Sequence, residues 1–256
     1  MVTIKTKEEI ELLREGGKRL AFILRELVQA AKPGVSTDTL NMLAEKLARE
    51  KGDIPSLLGY RPKGAKRPYP ACVCISLNDE VVHGIPNESP KILKDGDMIS
   101  FDMCLTHKGL ITDSAVTVPV GTVDAAARKL IAVTEESLYA GIKSAKGGKH
   151  VGDIGFAVER VAKANSFSVV EDLCGHGVGY KVHEDPYIPN YGDRGTGEKL
   201  KPGMVLAIEP MLTEGSKNVF LDKDGYTYKT VDGSRSAHFE HTILITNGDP
   251  EILTRI

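Results

Sequence analysis

The sequence predicts an α+β fold made by duplication: two halves, each a pair of helices followed by strands, joined through one curved antiparallel sheet about an approximate two-fold axis. Three observations predict it. Val82-His83-Gly84-Ile85-Pro86 returns as Val182-His183-Glu184-Asp185-Pro186, a shared Val-His-x-x-Pro. LKDGDMISFD (Leu93 to Asp102) returns as LKPGMVLAIE (Leu200 to Glu209), each placing a carboxylate six residues after its glycine. Each half also has a carboxylate heading a further apolar run, Asp113 before SAVTVPV and Glu240 before HTILIT.

The elements follow in order. Thr6-Lys7-Glu8-Glu9 has the form of a capping box, and Ile10, Leu13, Leu20, Ile23, Leu24 and Leu27 recur at helical spacing until Lys32-Pro33-Gly34. A second helix carries Leu40, Leu43 and Leu47, with Ser36 or Thr37 as N-cap and Gly52 past its end. Beyond a basic, proline-rich loop around Arg61 to Pro70, the runs Ala71 to Leu77, Met98 to Leu105 and Ile111 to Val120 read as strands. The last two form a hairpin turning at His107-Lys108-Gly109. Asp124 to Lys146 and Val151 to Ala164 read as helices, then Met204 to Leu212 and Phe239 to Thr246 as strands. Ala145-Lys146-Gly147-Gly148 answers Ala31-Lys32-Pro33-Gly34 before the corresponding helix. The halves are about 6–120 and 124–246 of a single catalytic domain 1–256.

Composition narrows the function classes. The chain has 256 residues, 41% hydrophobic and 27% charged, with a net charge of -2, so bulk electrostatics predict neither nucleic-acid nor membrane binding. The N-terminal stretch alternates charge with apolar residues and lacks the apolar core of a secretory signal. Cys72, Cys74, Cys104 and Cys174 have neither CxxC nor disulfide-ladder spacing, which excludes a zinc finger and predicts reduced thiols in the cytoplasm.

Two of the acids sit inside apolar strands, Asp102 in MISFDMCL and Glu209 in MVLAIEPM. A buried, unpaired carboxylate costs several kcal/mol or protonates. A hairpin centred between His107 and Lys108 sets Asp102 directly opposite Asp113, where like charges repel. The repeat brings Glu209 and Glu240 to the same place, and the flanking runs contain no arginine. Two readings stand: a structural ion-pair network, or two divalent cations with bridging carboxylates. An oxygen-rich site with one imidazole suits Mn, Fe(II), Co or Zn.

The histidines divide by context. His176, in the glycine-rich CGHGVGYKVHEDP, can approach a metal closely and reads as a fifth ligand. His83 and His183, related by the repeat, read as substrate contacts or as hydrogen-bonded structural residues. His107 falls at the hairpin turn and His150 near a helix start. His238 and His241 flank Glu240, and periodicity does not separate exposed from buried for them.

CISLNDEVVHGIP, DGDMISFDMCL, ITDSAVTVPVG, CGHGVGYKVHEDP, KPGMVLAIEPM and SAHFEHTILIT together resemble the type I methionine aminopeptidases, metallopeptidases of the duplicated pita-bread fold (M24-like). The resemblance covers most of the chain. It implies metal ligands at Asp102, Asp113, His176, Glu209 and Glu240, with two ions of Co, Mn, Fe(II) or Zn. It implies removal of the N-terminal methionine, before a small second residue, from nascent proteins and peptides, by attack of metal-activated water on the first peptide bond. Glu209 would be the general base, His183 the donor to the developing oxyanion, and His83 a contact to the scissile nitrogen or leaving group. By the same resemblance Cys74, Tyr60 or Tyr69, His83 and Val182 or its neighbours border the methionine pocket, although Cys74 reads equally as a buried strand thiol.

This chain departs from the family pattern twice: Tyr226 stands where many relatives have tryptophan, and Lys63 to Arg67 form a basic insertion. The insertion reads first as a solvated loop and secondly as a transient ribosome contact. A monomer is expected, since the duplication already supplies both halves of the site, with no N-terminal zinc-finger extension. A proline-directed exopeptidase, of the aminopeptidase P or prolidase kind, and a non-enzymatic binding protein on the same fold are the alternatives. The short His183–Glu209 stretch disfavours the type II enzymes.

Overall fold

In the computed structural model, which describes residues 2–255, the chain opens with helices α1 (Lys7–Ala30) and α2 (Thr37–Glu50). The capping box is present: Glu9 N donates to Thr6 Oγ1 at 3.2 Å, and Thr6 N to the Glu9 carboxylate at 2.8 Å. Ser36 caps α2, and Gly52, at φ 75°, follows its end. Strands β1 (Ile54–Pro55), β2 (Cys74–Leu77), β3 (Glu80–Val82), β4 (Met98–His107) and β5 (Leu110–Pro119) come next. Then come α3 (Ala125–Ser144), capped by Asp124, and α4 (Val151–Ala164), with His150 at its N-cap. The remaining strands are β6 (Ser168–Val169), β7 (Cys174–Gly177), β8 (Glu184–Pro189), β9 (Val205–Ile208), β10 (Met211–Thr213), β11 (Val219–Leu221), β12 (Tyr228–Thr230), β13 (Ser236–His238), β14 (Glu240–Leu244) and β15 (Glu251–Ile252).

A nine-stranded sheet in the order β1-β4-β5-β14-β9-β7-β8, with β2 on β4 and β15 on β14, forms the body. Side chains alternate between its faces. Ile99, Phe101, Met103 and Leu105 of β4 pack on Leu20, Leu27 and Leu40 of α1 and α2. Leu206, Ile208 and Ile243 pack on Leu138, Ile142 and Ile154 of α3 and α4. Burying each such side chain contributes roughly 1.5–3 kcal/mol, so the helix pairs hold one face of the sheet and leave the other for polar residues.

The hairpin register differs from the expected one. Lys108 at φ 48° and Gly109 at φ 85° are the two central turn residues, and His107 pairs with Leu110. A two-residue hairpin turn with both residues at positive φ matches the strand twist. Asp102 therefore pairs with Ala115 and Asp113 with Cys104, so the two acids are diagonal neighbours and not directly opposed. They keep a common face because the pairing shifts by an even number of residues. His107, expected at the turn, ends β4 and is buried, its Nδ1 2.7 Å from Asp53 Oδ1.

Met204 to Leu212 is likewise not one strand. Pairing with β14 stops at Ile208, and β10 joins β13 and β6 in a separate three-stranded sheet. Pro210 has no N–H to continue the ladder. The partner chain breaks at the same level, between β13 and β14, so Glu209 and Glu240 both sit where a strand pair leaves the large sheet.

Candidate metal centre

Two neighbouring rows across the polar face of the large sheet build the site. In the first, Cys74 pairs with Asp102, Asp102 with Ala115, and Ala115 with Glu240. Glu209 lies one step beyond the Ile208–His241 pair, on the Glu240 level. In the second, Cys104 pairs with Asp113, and Thr242 Oγ1 accepts from Asp113 N at 2.9 Å and donates to Asp113 O at 2.7 Å. Thr242 then pairs with Ala207, and Ala207 with His176. Cross-strand partners share a face. Ala115 thus separates Asp102 from Glu240 in the first row, and Ala207 separates Thr242 from His176 in the second.

His176 reaches this level because its strand runs close to its neighbours. A Cβ on Gly175 would lie 2.4 Å from Ala207 O, and one on Gly177 2.2 Å from Asp185 O. One ligand atom each from Asp113, His176 and Glu240 falls within 4.8 Å of the others. Asp102 and Glu209 line the same cavity, and Glu209 Oε1 is 3.3 Å from His176 Nε2.

The electrostatics ask for a cation. Burial raises all four carboxyl groups, Asp113 to about 7 and Glu209 to about 8, and mutual repulsion pushes Asp102 and Glu240 further up. Among the described residues, the contacts to Asp113 and Glu209 at ion-pair distance come from His176 and His238 and from no lysine or arginine. Burial lowers both histidines, His176 to about 3, so they are neutral at pH 7. Asp113 Oδ1, Glu240 Oε1 and both ring nitrogens of His238 are buried with no hydrogen-bond partner. His176 Nδ1 lies 2.9 Å from Gly177 O. A carbonyl only accepts, so Nδ1 carries the hydrogen and Nε2 turns a lone pair toward carboxylate oxygens. A lone pair facing a carboxylate is stable only with a proton or a positive ion between them. The donor set therefore fits divalent metal, and oxygen donors with one imidazole match the harder divalent ions.

The cavity has a volume of about 80 Å³ and opens to solvent. It is lined by Asp102, Asp113, His176, Glu209, Glu240, His83, His183, Cys74, Tyr60, Tyr69, Val182 and Tyr226, so the structure brings together the residues expected as metal ligands and substrate contacts. Both Tyr60 and Tyr69 take part. His183 stacks edge-on against His176, ring centroids 4.5 Å apart. His83 has φ 60°, a left-handed backbone that a bulky residue adopts at a cost of order 1–3 kcal/mol. Burial, with His183 nearby, lowers its imidazole to about 4.

Leu57, Pro62 and Cys104 also line the cavity and had not been singled out. Leu57 and Pro62 come from an irregular loop with no periodicity to read. Cys104 was legible in principle, two residues beyond Asp102 on the same face; its thiol donates to Asp113 Oδ2 at 2.7 Å. His238 and His241 separate cleanly. His238 is buried 3.6 Å from Glu209 Oε2, whereas His241, on the helix side, bonds Thr254 Oγ1 and packs near Tyr139.

The basic insertion is tied at both ends. Gly59 N donates to Tyr69 O at 2.9 Å and Tyr69 N to Tyr60 O at 2.8 Å, closing its neck. Arg67 pairs with Glu88 and donates to Asp224 O at 3.2 Å, while Tyr226 Oη donates to Arg67 O. Tyr226 meets Tyr69 edge-on at 5.1 Å.

A buried carboxylate–imidazole cluster on this helix-backed sheet defines a metallopeptidase class, and the chain belongs to it: the profile of Metallopeptidase family M24 matches residues 11–247. More particularly, it is 45% identical to methionine aminopeptidase 1 of Bacillus subtilis, with all of both chains covered. The crystal structure of methionine aminopeptidase from Thermotoga maritima superposes with a TM-score of 0.95 at 43% identity, again over the whole of both chains. Prolidase from Pyrococcus furiosus, 22% identical, shares the fold with a TM-score of 0.75 over 99% of this chain and 65% of its own.

Proposed function

We propose that this protein removes the N-terminal methionine from polypeptides with a small second residue. The observation that carries the reading is the two-row cluster opening into a cavity with an apolar wall of Leu57, Tyr69, Cys74, Val182 and Tyr226. Such a wall suits one apolar side chain, and four adjacent carboxylates favour the amino group beside it.

Asp102, Asp113, His176, Glu209 and Glu240 would hold the metal, two ions in this reading, with Mn, Fe(II), Co and Zn all compatible with the donors. When bound, divalent cations would supply Lewis-acid charge and make water acidic enough to act as a nucleophile at neutral pH. Glu209 takes the proton of the attacking water and returns it to the leaving amine. His183 donates to the carbonyl oxygen as negative charge develops there. His83 contacts the scissile nitrogen or the leaving group.

The same reading makes the chain one catalytic domain of two related halves, about 6–120 and 124–246, working as a cytoplasmic monomer on nascent chains. Arg67 engages the pocket rim, which favours a local role for the insertion over ribosome contact. No helix among the described residues is long and apolar enough to cross a membrane.

The test strips the protein with chelator and adds back Mn, Fe(II) or Co with a Met-Ala-Ser peptide. Metal-dependent release of methionine is expected. Cleavage of Xaa-Pro peptides in its place would reassign the substrate, and no cleavage of either would favour a binding protein.

A further inference from the structure

Tyr60 Oη lies 2.8 Å from His183 Nδ1, with ring centroids 5.6 Å apart. We propose that Tyr60 is a positioning residue that selects the tautomer of His183: its phenol donates to Nδ1, so that Nε2 carries the ring hydrogen and is the nitrogen that donates to the substrate carbonyl. This rests on the reading of His183 as a substrate contact given above.

Above about pH 7.5 an ordinary phenol and an ordinary imidazole are both uncharged. A neutral imidazole has one N–H and one lone pair, and its neighbour decides which nitrogen has which. An imidazole nitrogen is a stronger base than a phenol oxygen, and a phenol O–H a stronger acid than an imidazole N–H. The hydrogen of the bond therefore stays on Tyr60. Among the described residues, the Tyr60 hydroxyl has no other hydrogen-bond partner.

Tyr60 is placed for this by the neck of the basic insertion. Its N–H donates to Leu57 O at 2.9 Å and its carbonyl accepts from Tyr69 N, so the Tyr60 backbone is tied on both sides where the segment 61–67 leaves and returns. The two histidines that touch each other are thus set by different means. His176 is held by its own neighbour's carbonyl, whereas His183 depends on one side-chain hydroxyl. Removing that hydroxyl leaves the tyrosine ring, and with it the cavity wall, in place.

The test is Tyr60→Phe, with two readouts. In the zinc-loaded protein with 15N-labelled histidine, wild-type His183 should show an unprotonated Nδ1 and a protonated Nε2, and the variant should show exchange between tautomers. With manganese and Met-Ala-Ser, kcat should fall about tenfold while KM stays within about twofold. In a His183→Ala background, Tyr60→Phe should have no further effect on kcat. A protonated Nδ1 in the wild type, an unchanged kcat in Tyr60→Phe, or full additivity with His183→Ala would each overturn the proposal. Wild-type protein that shows the expected tautomer but does not cleave the peptide would overturn the reading of the site and not the hydrogen bond.

Discussion

His176 Nδ1 donates to the carbonyl oxygen of Gly177 at 2.9 Å, and this bond fixes which nitrogen faces the acids. Nε2 is left with its lone pair 3.3 Å from Glu209 Oε1 and 3.9 Å from Asp113 Oδ2. His176→Ala should weaken metal binding by more than the roughly 10–100-fold lost when a ligand's own hydrogen-bond partner is removed. Competition with a chromophoric chelator measures it, and an unchanged affinity would remove His176 from the ligand set.

Glu209 faces His176 and His238, both neutral, and burial lifts its carboxyl group to about 8. Glu209→Gln should lower kcat by about 10²–10⁴-fold while circular dichroism stays that of the native fold. Full activity would show that another group takes the proton.

The carboxyl cluster makes stability of the metal-free protein pH-dependent with an unusual sign. Asp113 rises from 3.8 to about 7 and Glu209 from 4.5 to about 8, chiefly by burial. Between these limits the folded state holds more protons than the unfolded chain, so stability falls as pH rises, being fully present below about pH 4 for these groups. The buried neutral histidines, lowered below 6.5, act in the opposite direction at lower pH, so the Tm of the metal-free protein should drop from pH 7 to pH 9, and added metal should reverse the drop. Metal uptake at pH 6 should release protons, visible as a buffer-dependent binding enthalpy. A rising Tm across that range without metal would contradict the assignment.

Arg67 links Glu88, the Asp224 carbonyl and the Tyr226 hydroxyl at the rim. The pair is substantially exposed, so it is worth about 0.2–1 kcal/mol. Arg67→Ala should raise KM for a Met peptide by up to about fivefold, with kcat retained. Equal loss in kcat would mean that the rim orders the reacting groups and not only the pocket.

Gly175 lies where β7 crosses β9, and a Cβ there would meet Ala207 O at 2.4 Å. Gly175→Ala should destabilise the fold by about 1–3 kcal/mol and weaken metal binding together, since the strand carrying His176 must move. Urea unfolding and metal titration on one preparation test this; an unchanged stability would show that the strand yields at no cost.

How much of this was legible in the sequence differs by level. Helix ends were, because capping at Thr6 and Ser36 and the stop at Gly52 are local chemistry. The four acids and His176 were too, because acids within apolar strands and glycines around a histidine are costly patterns that need a reason; the pocket residues followed only from the family resemblance, and Leu57, Pro62 and Cys104 from neither. The tertiary structure alone decided their arrangement. Asp102 and Asp113 became diagonal because a two-residue turn at Lys108-Gly109 sets the register, and Glu209 and Glu240 share a level because a proline ends one ladder. Likewise, nothing near Tyr60 in the chain points to His183, which is 123 residues away. Periodicity and caps act over a turn or two of chain, whereas register, strand breaks and hydrogen-bond partners are settled only when distant segments compete for the same backbone and space.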